Sequence, residues 1–266
     1  MAFYTPVIYF FNDMLRYIPL RILSPLESVQ YLVDNPVSLS RFGDGELNII
    51  MGGSIHFQEY DAVLRERLIQ ILRMPETPGI KVAVPIMINS LDNLTENSLR
   101  FWTMNMRTGR MHWHRLCSNK GYLDSQFTWK YLLAKNKQEG LDCLSLLPKV
   151  WENQDVLLVE GDGKMAVSLR FMNNVCSLRR IICPSSNAFR RYDEILQCVK
   201  RHYCGQLVLL SLGPTASVLA YDLFLEGIRS IDIGHINQCY QALETPCGSS
   251  EGMTEEMYKQ QIIDRI

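Results

Sequence analysis

Short apolar runs that stop at Gly, Pro or Ser alternate along this chain with longer stretches whose apolar residues recur at helical spacing. That alternation constrains the fold more than any other feature. A strand that must pass through a helix before the next strand cannot form a tight hairpin, so it pairs in parallel and the helices cover the sheet. Strands are expected at Val37 to Phe42, Ile80 to Pro85, Asp155 to Glu160, Arg179 to Cys183, Gln206 to Leu212 and Ser230 to Ile233. Helical spacing marks Tyr60 to Leu72, Asn187 to His202 and Thr215 to Glu226. The middle, from Asp92 to Lys149, reads as mostly helical and carries Trp102, Trp113 and Trp129. The expected class is α/β, with a mostly parallel sheet flanked by helices.

With 266 residues, 47% of them hydrophobic and 21% charged, the chain can bury the core of one large domain. No repeat or low-complexity linker divides it. A formal charge of -1 argues against a broad nucleic-acid footprint, and Arg179-Arg180 and Arg190-Arg191 read as strand ends and a solvated helix face. The eight cysteines form no C-x-x-C pair, which suits reduced, mostly buried thiols in a cytoplasmic protein. At the amino end, Phe3 to Phe11 is apolar and aromatic, but Asn12, Asp13, Arg16 and Pro19 follow at once, so it does not span a membrane. Residues 1–24 are expected to form an aromatic strap on the main domain, 25–242. A peripheral contact at the inner face of a membrane, with Arg16 and Arg21 nearby, is the alternative. Residues 243–266 are expected to hold a loop, Thr245 to Ser250, and a short helix from Met253 to Ile266.

The octapeptide Ser40-Arg41-Phe42-Gly43-Asp44-Gly45-Glu46-Leu47 sets two carboxylates two residues apart between glycines, just after the first expected strand. In extended chain, Asp44 and Glu46 would point to one side and could share a hard cation. The competing reading is a polar turn in which Asp44 caps a helix that begins near Glu46.

Three later strand ends could also carry chemistry, because ligands of open α/β sheets gather at the carboxyl ends of strands. Gly161-Asp162-Gly163-Lys164-Met165-Ala166 fits a loose dinucleotide fingerprint. The next strand, Arg180 to Cys183, lacks the acid such a site needs for the ribose, which weighs against a nicotinamide enzyme. At Leu212-Gly213-Pro214-Thr215 a strand stops and a helix starts, a place for an anion or simply a capped turn. Asp232 and His235 flank the end of the last expected strand, either as ligand groups or as hydrogen-bonded scaffolding.

Taken in order, SLSRFGDGEL, Ile55 to Asp61, Arg180 to Leu196, Ser211 to Leu223 and Ser230 to Ile236 resemble the bacterial GT-D-type glycosyltransferases across about residues 25 to 240. The resemblance implies a Rossmann-like fold and a D-x-E motif, Asp44 and Glu46, that holds Mn²⁺ or Mg²⁺ with a UDP-sugar. It implies that Arg41, Phe42, Gly43, Gly45, Gly213, Pro214, Thr215 and Gly234 line the donor site. A glycan acceptor on a bacterial surface glycoprotein or polysaccharide is the implied partner, and a homo-oligomer stays open. Transfer with inversion is also implied. It needs a general base, for which Glu160, Asp162, Asp232 and His235 are candidates.

The chain departs from its relatives in two places. After the Asp232-Ile233-Gly234-His235 turn it reads Asn237-Gln238-Cys239-Tyr240-Gln241-Ala242, without the two acids of the E-Y-E-W-like stretch found in relatives. Asp162 to Ser168 replaces their Arg-containing, Gly-Val-Gly-Asn-Asp-like segment. A catalytically weak or inactive nucleotide-binding protein on the same fold is therefore the second reading. His112 and His114, two apart on an expected helix, diverge and read as surface or acceptor-groove residues. Trp102, Trp113 and Trp129 are candidate stacking surfaces for acceptor sugars.

Overall fold

The computed structural model describes residues 18–118, 120–162, 169–243 and 261–266. Its strands are β1 (Ser38–Arg41), β2 (Ile80–Val84), β3 (Leu123–Asp124), β4 (Asp155–Gly161), β5 (Ser177–Cys183), β6 (Leu207–Ser211), β7 (Ser230–Asp232) and β8 (Ile262–Arg265). They form one eight-stranded sheet in the order β3-β2-β1-β7-β6-β4-β5-β8, and every pairing is parallel. The α/β expectation holds. The chain winds outward from β1 through β2 to β3, then crosses to β4 and fills the other half. The seam between the halves therefore falls at β1 and β7, where an open sheet of this kind leaves a crevice.

Alternation along the strands divides the core into two layers. Leu157 and Val159 of β4, with Val208 and Leu210 of β6, face α2 (Asp44–Ile50), α3 (Ala62–Arg73), α4 (Glu96–Leu116), α7 (Tyr192–His202) and α8 (Pro214–Leu225). Val156, Leu158, Leu207 and Leu209 face the other way, toward α1 (Pro25–Asp34), α6 (Gln138–Leu146) and α9 (Ile236–Leu243). Helix α5 (Lys130–Leu133) is a single turn beside α6. Strands buried on both faces explain why the sequence shows continuous apolar runs where alternation would otherwise appear.

The helices begin where their sequence says they should. Ser24 accepts the Glu27 N–H at 3.3 Å while Glu27 accepts the Ser24 N–H at 2.9 Å, a reciprocal cap on α1. Asp61 caps α3 by accepting the Leu64 N–H at 2.9 Å. Pro214 occupies the first position of α8, where its missing N–H costs nothing.

The middle segment is mostly helical, as expected, and Leu123–Asp124 within it extends the sheet beside β2. One expectation changes. The carboxyl end is not a helix to Ile266, because Ile262–Arg265 pairs with β5 as an edge strand. Ile262 and Ile263 are β-branched, which suits a pleated ladder better than a helix end. Ile22 bridges Tyr122, so residues just ahead of α1 lie against the start of β3. The aromatic run Phe3 to Phe11, the fingerprint residues Gly163 to Ala166 and the loop Thr245 to Ser250 lie outside the described residues. Among the described residues, no helix is long and apolar enough to cross a membrane.

Candidate active site

A pocket of about 370 Å³ opens across the carboxyl ends of β1, β6 and β7. Arg41, Gly43, Asp44, Gly45 and Glu46 line it from the end of β1 and the first turn of α2. Gly213 enters after β6, and Asp232, Gly234 and His235 after β7. Two buried handshakes fix this end of the sheet. Ser217 donates to the Arg41 carbonyl at 2.6 Å and Ser40 donates to the Ser217 carbonyl at 2.7 Å, tying the first turn of α8 to β1.

Asp44 and Glu46 are the first and third residues of α2, not part of an extended strand end. Glu46 Oε2 accepts the Gly43 N–H at 2.6 Å, so the acid that caps this helix is Glu46, two residues beyond the one expected to do so. The cap and the pocket wall are made of the same residues. On a helix, residues two apart diverge by about 200°, yet both acids line the pocket because it wraps around the helix start. The carboxylate has lone pairs beyond the one that the cap engages.

Charge is crowded here. Burial pushes the Glu46 carboxyl up to about 7, and the nearby Asp232 and Asp44 carboxylates add to the rise. Burial raises Asp44 as well, although its residue is exposed at the pocket mouth. Asp232 is 4% exposed and is pushed up to about 6 by burial, against the pull of Arg41 and of the Gly234 N–H that it accepts at 2.9 Å. Arg41 donates to Thr128 Oγ1 at 3.0 Å and lies over the Phe127 ring, while its buried Nε has no protein partner.

Two glycines are dictated by this packing. Gly234 has φ +55°, and a Cβ there would sit 2.7 Å from the Arg41 guanidinium. Gly213 has φ +57°, and its Cβ would meet Phe57 at 2.4 Å. Phe57 and Trp129 meet the His235 ring edge-on at 5.5 and 6.4 Å, which makes an aromatic wall opposite the acids. Trp102 completes that wall.

Other expected site residues lie elsewhere. Phe42 is fully buried in the core and off the pocket wall. Pro214 and Thr215 are buried at the start of α8 behind Gly213, and Thr215 Oγ1 has no hydrogen-bond partner. Glu160 is 1% exposed and is held by Arg180, whose Nε donates to Oε1 at 2.8 Å and whose second contact runs through Nη2. That pairing, and its place off the pocket wall, set it apart from Asp232 and His235. Asp162 is exposed and lies 3.4 Å from Arg265. Trp113 is core, and neither His112 nor His114 lines the pocket.

Gln126 and Thr128 went unread in the sequence because β3 is only two residues long inside a segment that looks helical. The one local signal was the short run Tyr122-Leu123 between Gly121 and Asp124-Ser125. Asp124 is buried there. It accepts the Ile86 N–H through Oδ1 at 2.9 Å, its Oδ2 has no partner, and burial raises it to about 6.

An open parallel sheet with carboxylates, an arginine and an aromatic wall across its central strand ends defines an α/β protein whose ligand crevice lies at the switch point of the sheet. The chain matches the family model for the glycosyltransferase GT-D fold over residues 39–259, and it belongs to that family. It is 33% identical over 221 residues to the probable glycosyl transferase Gly of Streptococcus gordonii, covering 83% of this chain and 32% of the relative. It is 30% identical over 258 residues to the glycosyltransferase GlyD of Streptococcus pneumoniae serotype 4, covering 90% of this chain and 32% of the relative. The chain thus spans about a third of the length of these curated relatives. Among solved structures, it resembles the highly conserved domain of unknown function 1792, which has a distinct glycosyltransferase fold. The match has 30% identity and a TM-score of 0.87, and covers 96% of this chain and 99% of that one. A new glycosyltransferase with the same domain, from Streptococcus sanguinis, matches at 30% identity and a TM-score of 0.86, over 93% of this chain and 99% of that one.

Proposed function

We propose that this chain transfers a hexose from a UDP-sugar to a hydroxyl of a glycan acceptor, on a bacterial surface glycoprotein or polysaccharide, with inversion and with help from a divalent cation. The observation that carries the reading is the meeting of Asp44, Glu46 and Asp232 with the Arg41 guanidinium in one pocket walled by Phe57, Trp102 and Trp129. The donor set fits the cation. Asp44 and Glu46 offer hard oxygens, and Mn²⁺ or Mg²⁺ is commonly held by one or two carboxylates together with substrate phosphates and waters. Burial, with smaller contributions from Asp232 and Asp44, raises the Glu46 carboxyl, and a bound dication would offset that cost of ionisation.

When bound, that ion would supply electrostatic stabilisation of the departing diphosphate. Arg41 has an unpartnered buried Nε and can bind a phosphate oxygen beside it. The start of α8, bordering the pocket at Gly213, adds fixed dipoles of the sign that favours phosphate. The aromatic wall offers a face for a sugar ring. Inversion needs a group to take the proton from the acceptor hydroxyl. Of the candidates, Asp232 and His235 stand on the pocket wall, whereas Glu160 is paired with Arg180.

The experiment is a transfer and donor-hydrolysis assay over a panel of UDP-sugars, with Mn²⁺ and with excess chelator. Activity that requires the cation and disappears in Asp44→Asn and Glu46→Gln supports the reading. Full activity of both variants, or full activity in chelator, overturns it. The missing acids after His235 favour a second reading, a weakly active or inactive nucleotide-binding member. Stabilisation by UDP and Mn²⁺ in a thermal-shift titration, with no turnover of any donor, would select it.

A further inference from the structure

A second group of ligand atoms stands at the far edge of the sheet, four strands beyond β7. Cys198 and His202 are one turn apart on α7 and so share a face. Asp264 meets them from β8. The Cys198 thiol donates to Asp264 Oδ2 at 3.2 Å, and His202 Nε2 lies 3.0 Å from the same oxygen. The three ligand atoms all lie within 4.8 Å of one another, and no other trio of His, Cys, Asp or Glu among the described residues meets that spacing.

We propose that Cys198, His202 and Asp264 form a zinc site that fastens the carboxyl-terminal strand β8 to α7, with an open fourth position for water. Zinc with one sulfur, one nitrogen and one oxygen ligand at ordinary bond lengths sets neighbouring ligand atoms about 3.3–3.6 Å apart. The two contacts to Asp264, 3.2 and 3.0 Å, lie within a few tenths of an ångström of these spacings, and the Cys198 and His202 ligand atoms are within 4.8 Å of each other. The donor set also chooses the metal. A thiolate with an imidazole and a carboxylate favours zinc, whereas the all-oxygen pocket at Asp44 and Glu46 favours Mn²⁺ or Mg²⁺. Coordination would release the Cys198 thiol proton to bulk water.

The surroundings permit this. A cavity of about 440 Å³ adjoins Cys198 and Asp264, leaving room for the fourth ligand. Of the three arginines on its border, Arg191 is engaged by Glu194 and Arg265 lies 3.4 Å from Asp162, while the charge of Arg201 acts on the Cys198 thiol and favours its thiolate form. The strand has reason to be fastened. It is an edge strand of four residues, three partly exposed and one fully so, and its register with β5 slips between Arg180 and Ile181. Little apolar burial holds it in place.

Cobalt titration of the full 266-residue chain, kept under a non-thiol reductant, tests the site. We expect a thiolate-to-cobalt charge-transfer band that saturates near one equivalent and is bleached by one equivalent of Zn²⁺. The carboxylate pocket has no sulfur and cannot produce it. The band should persist in the Asp44→Asn/Glu46→Gln double variant and vanish in Cys198→Ser. In His202→Gln, where folding is the safer assumption because the side chain is partly exposed, it should weaken or vanish. One equivalent of Zn²⁺ should raise the unfolding temperature of the wild type and leave that of His202→Gln unmoved. No band in the wild type, a band that survives Cys198→Ser, or equal stabilisation of His202→Gln by zinc would each reduce the trio to a hydrogen-bonded cluster and overturn the proposal.

Discussion

Glu160 and Asp232 are both buried acids near the carboxyl ends of parallel strands, with only β6 between their own strands. Their surroundings give them opposite roles. Glu160 is raised by burial, but a fully buried guanidinium pairs with it and offsets part of that rise, so it is part of the scaffold. Asp232 shares Arg41 with the pocket, accepts one backbone N–H and adds its charge to that of Glu46. The same functional group in the same layer becomes structural or available according to whether a cation closes on it. Asp44 and Glu46 extend the available side of that contrast, with no arginine closing on either in a salt bridge among the described residues.

The contrast breaks first, if it breaks, at the D-x-E pair. Glu46→Gln is expected to lower the transfer rate about 1,000-fold, or ~4 kcal/mol of transition-state stabilisation, with unchanged circular dichroism. The readout is kcat under saturating Mn²⁺ and donor. Glu160→Gln is expected to do the reverse. It leaves Arg180 buried without a counter-charge and should lower the unfolding free energy by about 3 kcal/mol in urea, while the folded fraction keeps near-normal turnover. Replacing both Glu160 and Arg180 by methionine should recover most of that stability. A Glu160→Gln protein that is stable but inactive would move Glu160 to the catalytic side.

Gly213→Ala sharpens the contrast from the wall of the pocket. The added methyl must displace Phe57 and adopt a left-handed backbone, so a loss of about 1–3 kcal/mol in stability is expected. Because Phe57 packs against His235, donor KM should rise with it. A stability loss with unchanged KM would show that the aromatic wall does not touch the donor.

The sheet was legible because buried parallel strands announce themselves as apolar runs, and each of the six expected strands lies within two residues of its observed ends. What escaped was short. Two-residue β3 carries no periodicity, and so Gln126 and Thr128 went unread. Edge strand β8 is too exposed to look like a buried run. At the site, the identity of Asp44 and Glu46 could be read but their geometry could not, since the octapeptide alone does not say whether the chain is extended or already helical there. Glu160 could not be told from Asp232, because its partner Arg180 arrives across the sheet from β5, twenty positions along the chain.

The smallest effect comes from protons. Glu46 and Asp232 have folded-state carboxyls near 7 and 6, above the ordinary carboxylate range. Between their unfolded and folded values the folded chain binds more protons than the unfolded one, so these groups stabilise the metal-free fold at low pH and lose that contribution as pH rises from about 4 to 7. Glu27, Glu76, Glu194 and Asp264 are shifted downward, so their opposite contribution is already complete above about pH 5. Asp44, Asp124 and Glu160 are shifted upward as well and are present in both wild type and Glu46→Gln, so Glu46, together with its coupling to Asp44 and Asp232, is isolated when the two proteins are compared. The difference in their unfolding free energies, measured in urea without metal at pH 5 and pH 8, should therefore change by on the order of 1 kcal/mol against the wild type, partial exposure of Glu46 reducing it. Adding Mn²⁺ should reverse the sign in the wild type, because cation binding requires the deprotonated acids and strengthens through the same interval. A difference that does not vary with pH would mean that neither burial nor the neighbouring carboxylates raise Glu46, and the contrast with the arginine-paired Glu160 would lose its electrostatic basis.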